Sequence, residues 1–214
     1  DQLRPPAHAP EFSRVFAART CMMAGVGLTG VFLWYLVRFW VYGKAVVLTS
    51  APLTIPAGFL IAGMAVATLI GAALASWAAG PISERIEEKN IPVARVVAGA
   101  CLLYAAGLAL AWGLGVWSTG TARENGMLLF ALISGFAFGV YDSLGLELVM
   151  DSLPDPRRAG HDLGIYALAN SAGLALAAII GALLVNAFEH SFGYYLLFPS
   201  AIVMVLLAGI VTLT

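Results

Sequence analysis

Six long apolar runs constrain this chain more than any other feature. They lie at about residues 15–41, 56–79, 93–117, 126–150, 162–187 and 191–213. A helix needs roughly 20 residues to cross about 30 Å of hydrocarbon, and each run is long enough. The separators differ sharply in composition. "GKAVVLTSAPLTIP" brings Lys44 and two prolines, and "GPISERIEEKNIP" is rich in charge. "STGTARENG" and "DSLPDPRRAGHD" are polar and turn-rich, and "FEHSFG" is short enough for a tight hairpin. The pattern predicts an all-α integral membrane protein, a six-transmembrane-helix bundle over 15–214 behind a cytoplasmic linker segment at 1–14.

Composition agrees. The chain is 61% hydrophobic and 11% charged, less than half of the roughly 25% charge usual in soluble domains. Its partner is the lipid bilayer. A net charge of −1 provides no basic patch to neutralise phosphates, which argues against a nucleic-acid partner. Cys21 and Cys101 both lie inside apolar runs and read as small buried hydrophobes, not as metal ligands.

Lys and Arg set the expected orientation. One side holds Arg4, Arg14, Arg19, Arg85, Lys89, Arg95, Arg157 and Arg158, and the other holds Arg38, Lys44 and Arg123. Eight against three places both ends in the cytoplasm, in a multi-pass protein of the cell (inner or plasma) membrane. Arg38, beside Trp34, Tyr35, Trp40 and Tyr42, reads as an interfacial anchor. The chain begins without Met and stops inside an apolar run, as expected for part of a longer polypeptide.

Small residues recur every four positions in three runs. Gly63, Ala67, Gly71, Ala75 and Ala79 form one stripe, Gly107, Ala111 and Gly115 a second, and Ala169, Gly173, Ala177 and Gly181 a third. Such stripes let helix backbones approach closely.

Catalytic inventories come up short. His8, His161 and His190 all fall in loops or tails, so no bundle interior holds a histidine for haem or for a serine nucleophile such as Ser134. HExxH, P-loop and GxSxG patterns are absent from the sequence. The expectation is a non-enzyme without cofactor or metal.

What remains is a set of polar groups at depth. Asp142 lies about 12 Å from the cytoplasmic end of its span, near the bilayer middle, and Glu147 about 4–5 Å. About 140° of helix rotation separates them, so they are not one paired-carboxylate site. An acid at the bilayer centre costs about 2.5–3.5 kcal/mol on insertion scales and marks Asp142 as a candidate solute or ion contact. Its structural alternative is a tie to an Arg elsewhere, for example on chain not present here. Glu147 is within reach of the headgroups and of Arg157 or Arg158. Tyr141, Asn170 and Ser171 add groups that hydrogen-bond either a ligand or a neighbouring helix.

Two stretches resemble the major facilitator superfamily. "GPISERIEEKN" is similar to its GxLaDRxGRK-type loop between the second and third helices of each six-helix half. Gly80 falls on the opening Gly, Glu84 on the acid, Arg85 on the Arg and Lys89 on the distal basic residue. Glu84 keeps the acid's charge, whereas Glu87 stands where a second Gly is usual. The second stretch, "LVMDSLPDPRRAGHDLGIYALANSAG", resembles the fourth-to-fifth-helix junction of family halves, most closely in sugar and glycoside–cation symporters. In such relatives an acid commonly occupies the place of Asp142.

The resemblance implies a secondary active transporter working by alternating access, seen as its C-terminal six-helix half. It implies a missing six-helix half as partner, with Gly80, Glu84, Arg85 and Lys89 in a conformational-switch loop. A small solute, with sugar or glycoside as candidates, would meet Asp142, Tyr141, Asn170, Ser171 and Glu147, with a proton or cation as candidate coupling ion. The alternative is a non-transporting scaffold or assembly subunit on the same fold.

Overall fold

The computed structural model describes residues 10–41, 55–117, 121–151, 159–188 and 190–214. All secondary structure among them is helical. In chain order the helices are α1 (Pro10–Gly30), the short α2 (Leu33–Tyr35) running into a π-helical stretch (Leu36–Val41), α3 (Ile55–Glu88), α4 (Val93–Trp117), α5 (Thr121–Asp151), α6 (Ala159–Ala187) and α7 (His190–Leu213).

Five of these, α3 to α7, are long and apolar enough to cross a membrane, as a multi-pass membrane protein requires. The six expected spans are thus five by this measure. The difference falls on α1, whose 21 residues include Glu11, Arg14 and Arg19. The first expected run is also interrupted, with turn residues Val31 and Phe32 separating α1 from the next helical segment. Helix begins at Pro10, inside the segment read as linker, and positions 1–9 and 42–54 lie outside the described residues.

Several helices overrun the polar separators. The largest case is α3, which continues through Gly80, Pro81, Glu84 and Arg85 to Glu88, where a loop was expected. "ISERIEE" contains no helix breaker after Pro81, and its straight-chain residues are good helix formers. The helix ends in a Schellman arrangement. Asn90 adopts the left-handed conformation at φ 50°. Its N–H donates to Glu87 O at 3.2 Å, and the Ile91 N–H donates to Ile86 O at 3.0 Å. Asn tolerates that conformation through its short polar side chain, so the turn falls at Asn90 rather than at Glu87.

The helices pack as two groups of three. α5 lies between α3 and α4, and α1 packs on α6 and α7; α4 and α7 join the groups, and α1 also touches α5. All three small-residue stripes turn inward. A Cβ on Gly71 would run into Leu132 O and Phe136 N of α5, and one on Gly135 would run into Thr68 O of α3. The mirror of this crossing is α6 on α1, where a Cβ on Gly173 would meet Met23 Cβ at 2.5 Å and Thr20 O at 2.7 Å. The buried core also holds large side chains such as Leu108, Phe130, Leu197, Phe198 and Val205.

Candidate functional site

At mid-height one cation organises three helices. Arg19 Nη1 lies 2.7 Å from Asp142 Oδ1, and Arg19 Nε donates to Asn170 Oδ1 at 2.7 Å. The three residues sit about 14, 14 and 17 Å from the helix ends at Pro10, Asp151 and Ala159, a common depth at 1.5 Å per residue. The Arg19 guanidinium also stands 5.6 Å from the ring centroids of Phe138 and Tyr141, and 5.7 Å from that of Tyr166. Aromatic faces carry partial negative charge and hold a cation at such distances. Phe138 and Tyr141 are themselves stacked, with centroids 6.3 Å apart.

This arrangement explains how α1 carries an arginine ten residues into its helix. An Arg at the centre of a spanning helix costs about 2.5–3.5 kcal/mol on insertion scales unless it is paired. Here a carboxylate, an amide oxygen and three rings replace water. Arg19 was expected among the basic residues of the cytoplasmic side; it lies instead in the bundle, and it is the partner of Asp142 that was sought outside this chain. A signal was present in the sequence: an arginine within the first apolar run and a lone aspartate within the fourth.

The expected site residues divide. Asp142, Tyr141 and Asn170 meet at Arg19. Ser171, one position further round α6, is exposed, and no contact joins it to the cluster. Glu147 is exposed on α5, and no ion pair joins it to Asp142; the expected partners Arg157 and Arg158 lie outside the described residues. Tyr141 is 3% exposed, with its ring against Arg19. Gly80, Glu84 and Arg85 are helical and Lys89 follows the helix end. Among the described residues neither Glu84 nor Arg85 forms an ion pair.

Asp142 has a second environment. Its side chain is 56% exposed, against 8% for Arg19, and it forms part of the wall of a cavity of about 380 Å³ between α3 and α5. Thr68, Ala72 and Ser76 come from α3, and Ser134, Gly135, Phe138, Gly139 and Ser143 from α5, with Val26 of α1 and Tyr104 of α4 completing the wall. Most of this wall is apolar, and the Ser and Thr hydroxyls and Asp142 supply its polar atoms. Small-molecule sites commonly span about 300–1,000 Å³, so this cavity is large enough for a small solute. No group of His, Cys, Asp and Glu able to hold a metal ion occurs among the described residues.

No family model, curated protein or solved structure matches this chain. Fold and site define it as a helical membrane-type bundle with a charge cluster around the buried Arg19 beside a cavity that Ser and Thr hydroxyls help to line.

Proposed function

We propose that the chain is the C-terminal six-helix half of a secondary active transporter of the major facilitator type, moving a small solute by alternating access. The observation that carries this reading is the α3–α5 cavity, at mid-depth, with Asp142 and several Ser and Thr hydroxyls in its wall. A lipid-facing or purely structural acid has no need of four neighbouring hydroxyls.

Helix pairing supports the same reading. Each half of such a transporter nests two inverted three-helix repeats. Taking α1 as the first span and α3 to α7 as the next five, that symmetry exchanges α1 with α5, α3 with α6 and α4 with α7. It turns the α1–α6 contact into α5–α3 and α1–α7 into α5–α4, and it leaves α4–α7 and α1–α5 unchanged; all of these contacts occur. In this reading α1 crosses the membrane because its arginine is neutralised by α5. Both ends are cytoplasmic: with Arg19 removed from the tally, the balance of basic residues is still seven to three (8 − 1 against 3).

A scaffold role is the second reading, and one observation favours it: the Arg19–Asp142 pair satisfies the carboxylate without any ligand. Uptake decides. Vesicles bearing the full-length protein are given radiolabelled sugars and glycosides under an imposed proton or sodium gradient. Saturable accumulation above that of vesicles lacking the protein is expected, with coupling lost in Asp142→Asn. No accumulation with any solute overturns the transport reading, and coupling unchanged in Asp142→Asn removes Asp142 from it.

A further inference from the structure

Hydrogen-bond accounting in the α3–α5 cavity restricts what fits there. A Ser or Thr hydroxyl has one proton to donate and two lone pairs. The four Ser and Thr hydroxyls spend that proton on their own helix, and the hydroxyl of Tyr104, also in the wall, pairs with Thr29. Thr68 Oγ1 donates to Met64 O at 2.9 Å and Ser76 Oγ to Ala72 O at 3.1 Å. Ser134 Oγ donates to Ala131 O at 3.0 Å and Ser143 Oγ to Gly139 O at 2.9 Å. The backbone N–H groups of α3 and α5 are committed within the helices. Toward the cavity these side chains therefore offer lone pairs, and Asp142 adds the carboxylate oxygen that Arg19 leaves free.

The adjoining cation does not reverse this. Arg19 has Nη1 on Asp142 and Nε on Asn170, with its guanidinium packed among Phe138, Tyr141 and Tyr166. It is buried behind Asp142, so an anion reaches it only by displacing that carboxylate. An anion in the cavity would face lone pairs and a like charge, which costs the desolvation of both without compensation.

We propose that this cavity is a binding site for a small solute that brings its own hydrogen-bond donors and carries no negative charge, a polyol or a hydroxylated amine, and that it rejects the corresponding carboxylate. The proposal rests on the transport reading only in taking the cavity as the solute's station.

Site occupancy tests it without relying on transport. Ala72→Cys, in the full-length protein cleared of Cys21, Cys101 and every other native cysteine, places one reporter thiol in the cavity wall in membrane vesicles. Alkylation is timed with glucose, glucosamine or gluconate, which share a six-carbon skeleton and differ in charge. Gluconate brings the same kind of hydroxyl donors but sets a carboxylate against Asp142, a like-charge contact that corresponds to at least about a tenfold preference against it. Glucose and glucosamine are expected to slow labelling at least about tenfold more than gluconate does, and Thr68→Val with Ser143→Ala to abolish the protection. The melting temperature of the unsubstituted protein with each probe provides the same ranking should the reporter fail to fold. Equal or better protection by gluconate overturns the proposal, as does protection by none of the three. Protection without uptake refutes transport and leaves the site; uptake without protection does the reverse.

Discussion

Arg19 and Asp142 are joined at 2.7 Å, yet the guanidinium is almost wholly buried and the carboxylate is more than half exposed. The two ends of this ion pair are therefore not equivalent. Arg19 has nowhere to go if Asp142 is lost, whereas Asp142 without Arg19 still faces the cavity. Removing one partner of a buried pair costs because a charge is left uncompensated, so the cost depends on which partner is removed.

Asp142→Ala is expected to destabilise the protein by about 2–3 kcal/mol, somewhat less than a fully buried orphan because Asn170 and the three rings remain. Arg19→Met, which refills the space and leaves an exposed carboxylate, is expected to cost about 1 kcal/mol or less. The double variant should lie close to Arg19→Met alone. Thermal unfolding of the purified protein in detergent checks the order, and Arg19→Met proving the more damaging single change would contradict it.

Asn170 and Ser171 are adjacent in sequence but differ in burden. Asn170→Ala leaves Arg19 Nε buried without an acceptor, at about 1–3 kcal/mol. Ser171→Ala, on the exposed side of α6, should stay within about 0.5 kcal/mol of the parent. The same unfolding measurement separates them.

Two glycine substitutions test the helix packing and the extent of α3. Gly135→Ala places a methyl against Thr68 O and should cost about 1–3 kcal/mol, because overpacked backbones must move apart. Gly80 has nothing within 4 Å of its would-be Cβ and lies inside α3. With Pro81 replaced by Ala, so that its ring no longer crowds a Cβ at position 80 in the helical conformation, Gly80→Ala should stabilise by about 0.5–1 kcal/mol. If positions 80–88 were loop, that gain would be absent.

These contrasts show what local sequence conveys and what it does not. The stripes led by Gly71, Gly107 and Gly173 were legible because a four-residue period places them on one helix face whatever the partner. Asp142 and Asn170 were legible because any polar group at that depth needs a reason. Arg19 was not read as their partner, since pairing between positions over a hundred residues apart depends on which helices become neighbours. Its position near the start of an apolar run also suited the basic side of the membrane equally well. The end of α3 was misplaced for a local reason: Gly80-Pro81 reads as a stop, since an interior proline loses a hydrogen bond and crowds the preceding turn, but the long helix on its N-terminal side and the helix formers after it carry α3 through. The actual stop is Asn90, whose left-handed geometry is invisible in composition.

The central claim is that the α3–α5 cavity opens alternately to the two sides of a membrane. The sole thiol of Ala72→Cys, in the full-length protein cleared of all native cysteines, is exposed to a membrane-impermeant alkylating reagent in sealed right-side-out and inside-out vesicles. An alternating-access transporter gives labelling from both sides, and a polyol that fills the cavity slows both. Labelling from one side alone, or from neither, would contradict the account and leave a static bundle whose Asp142 serves only to hold Arg19.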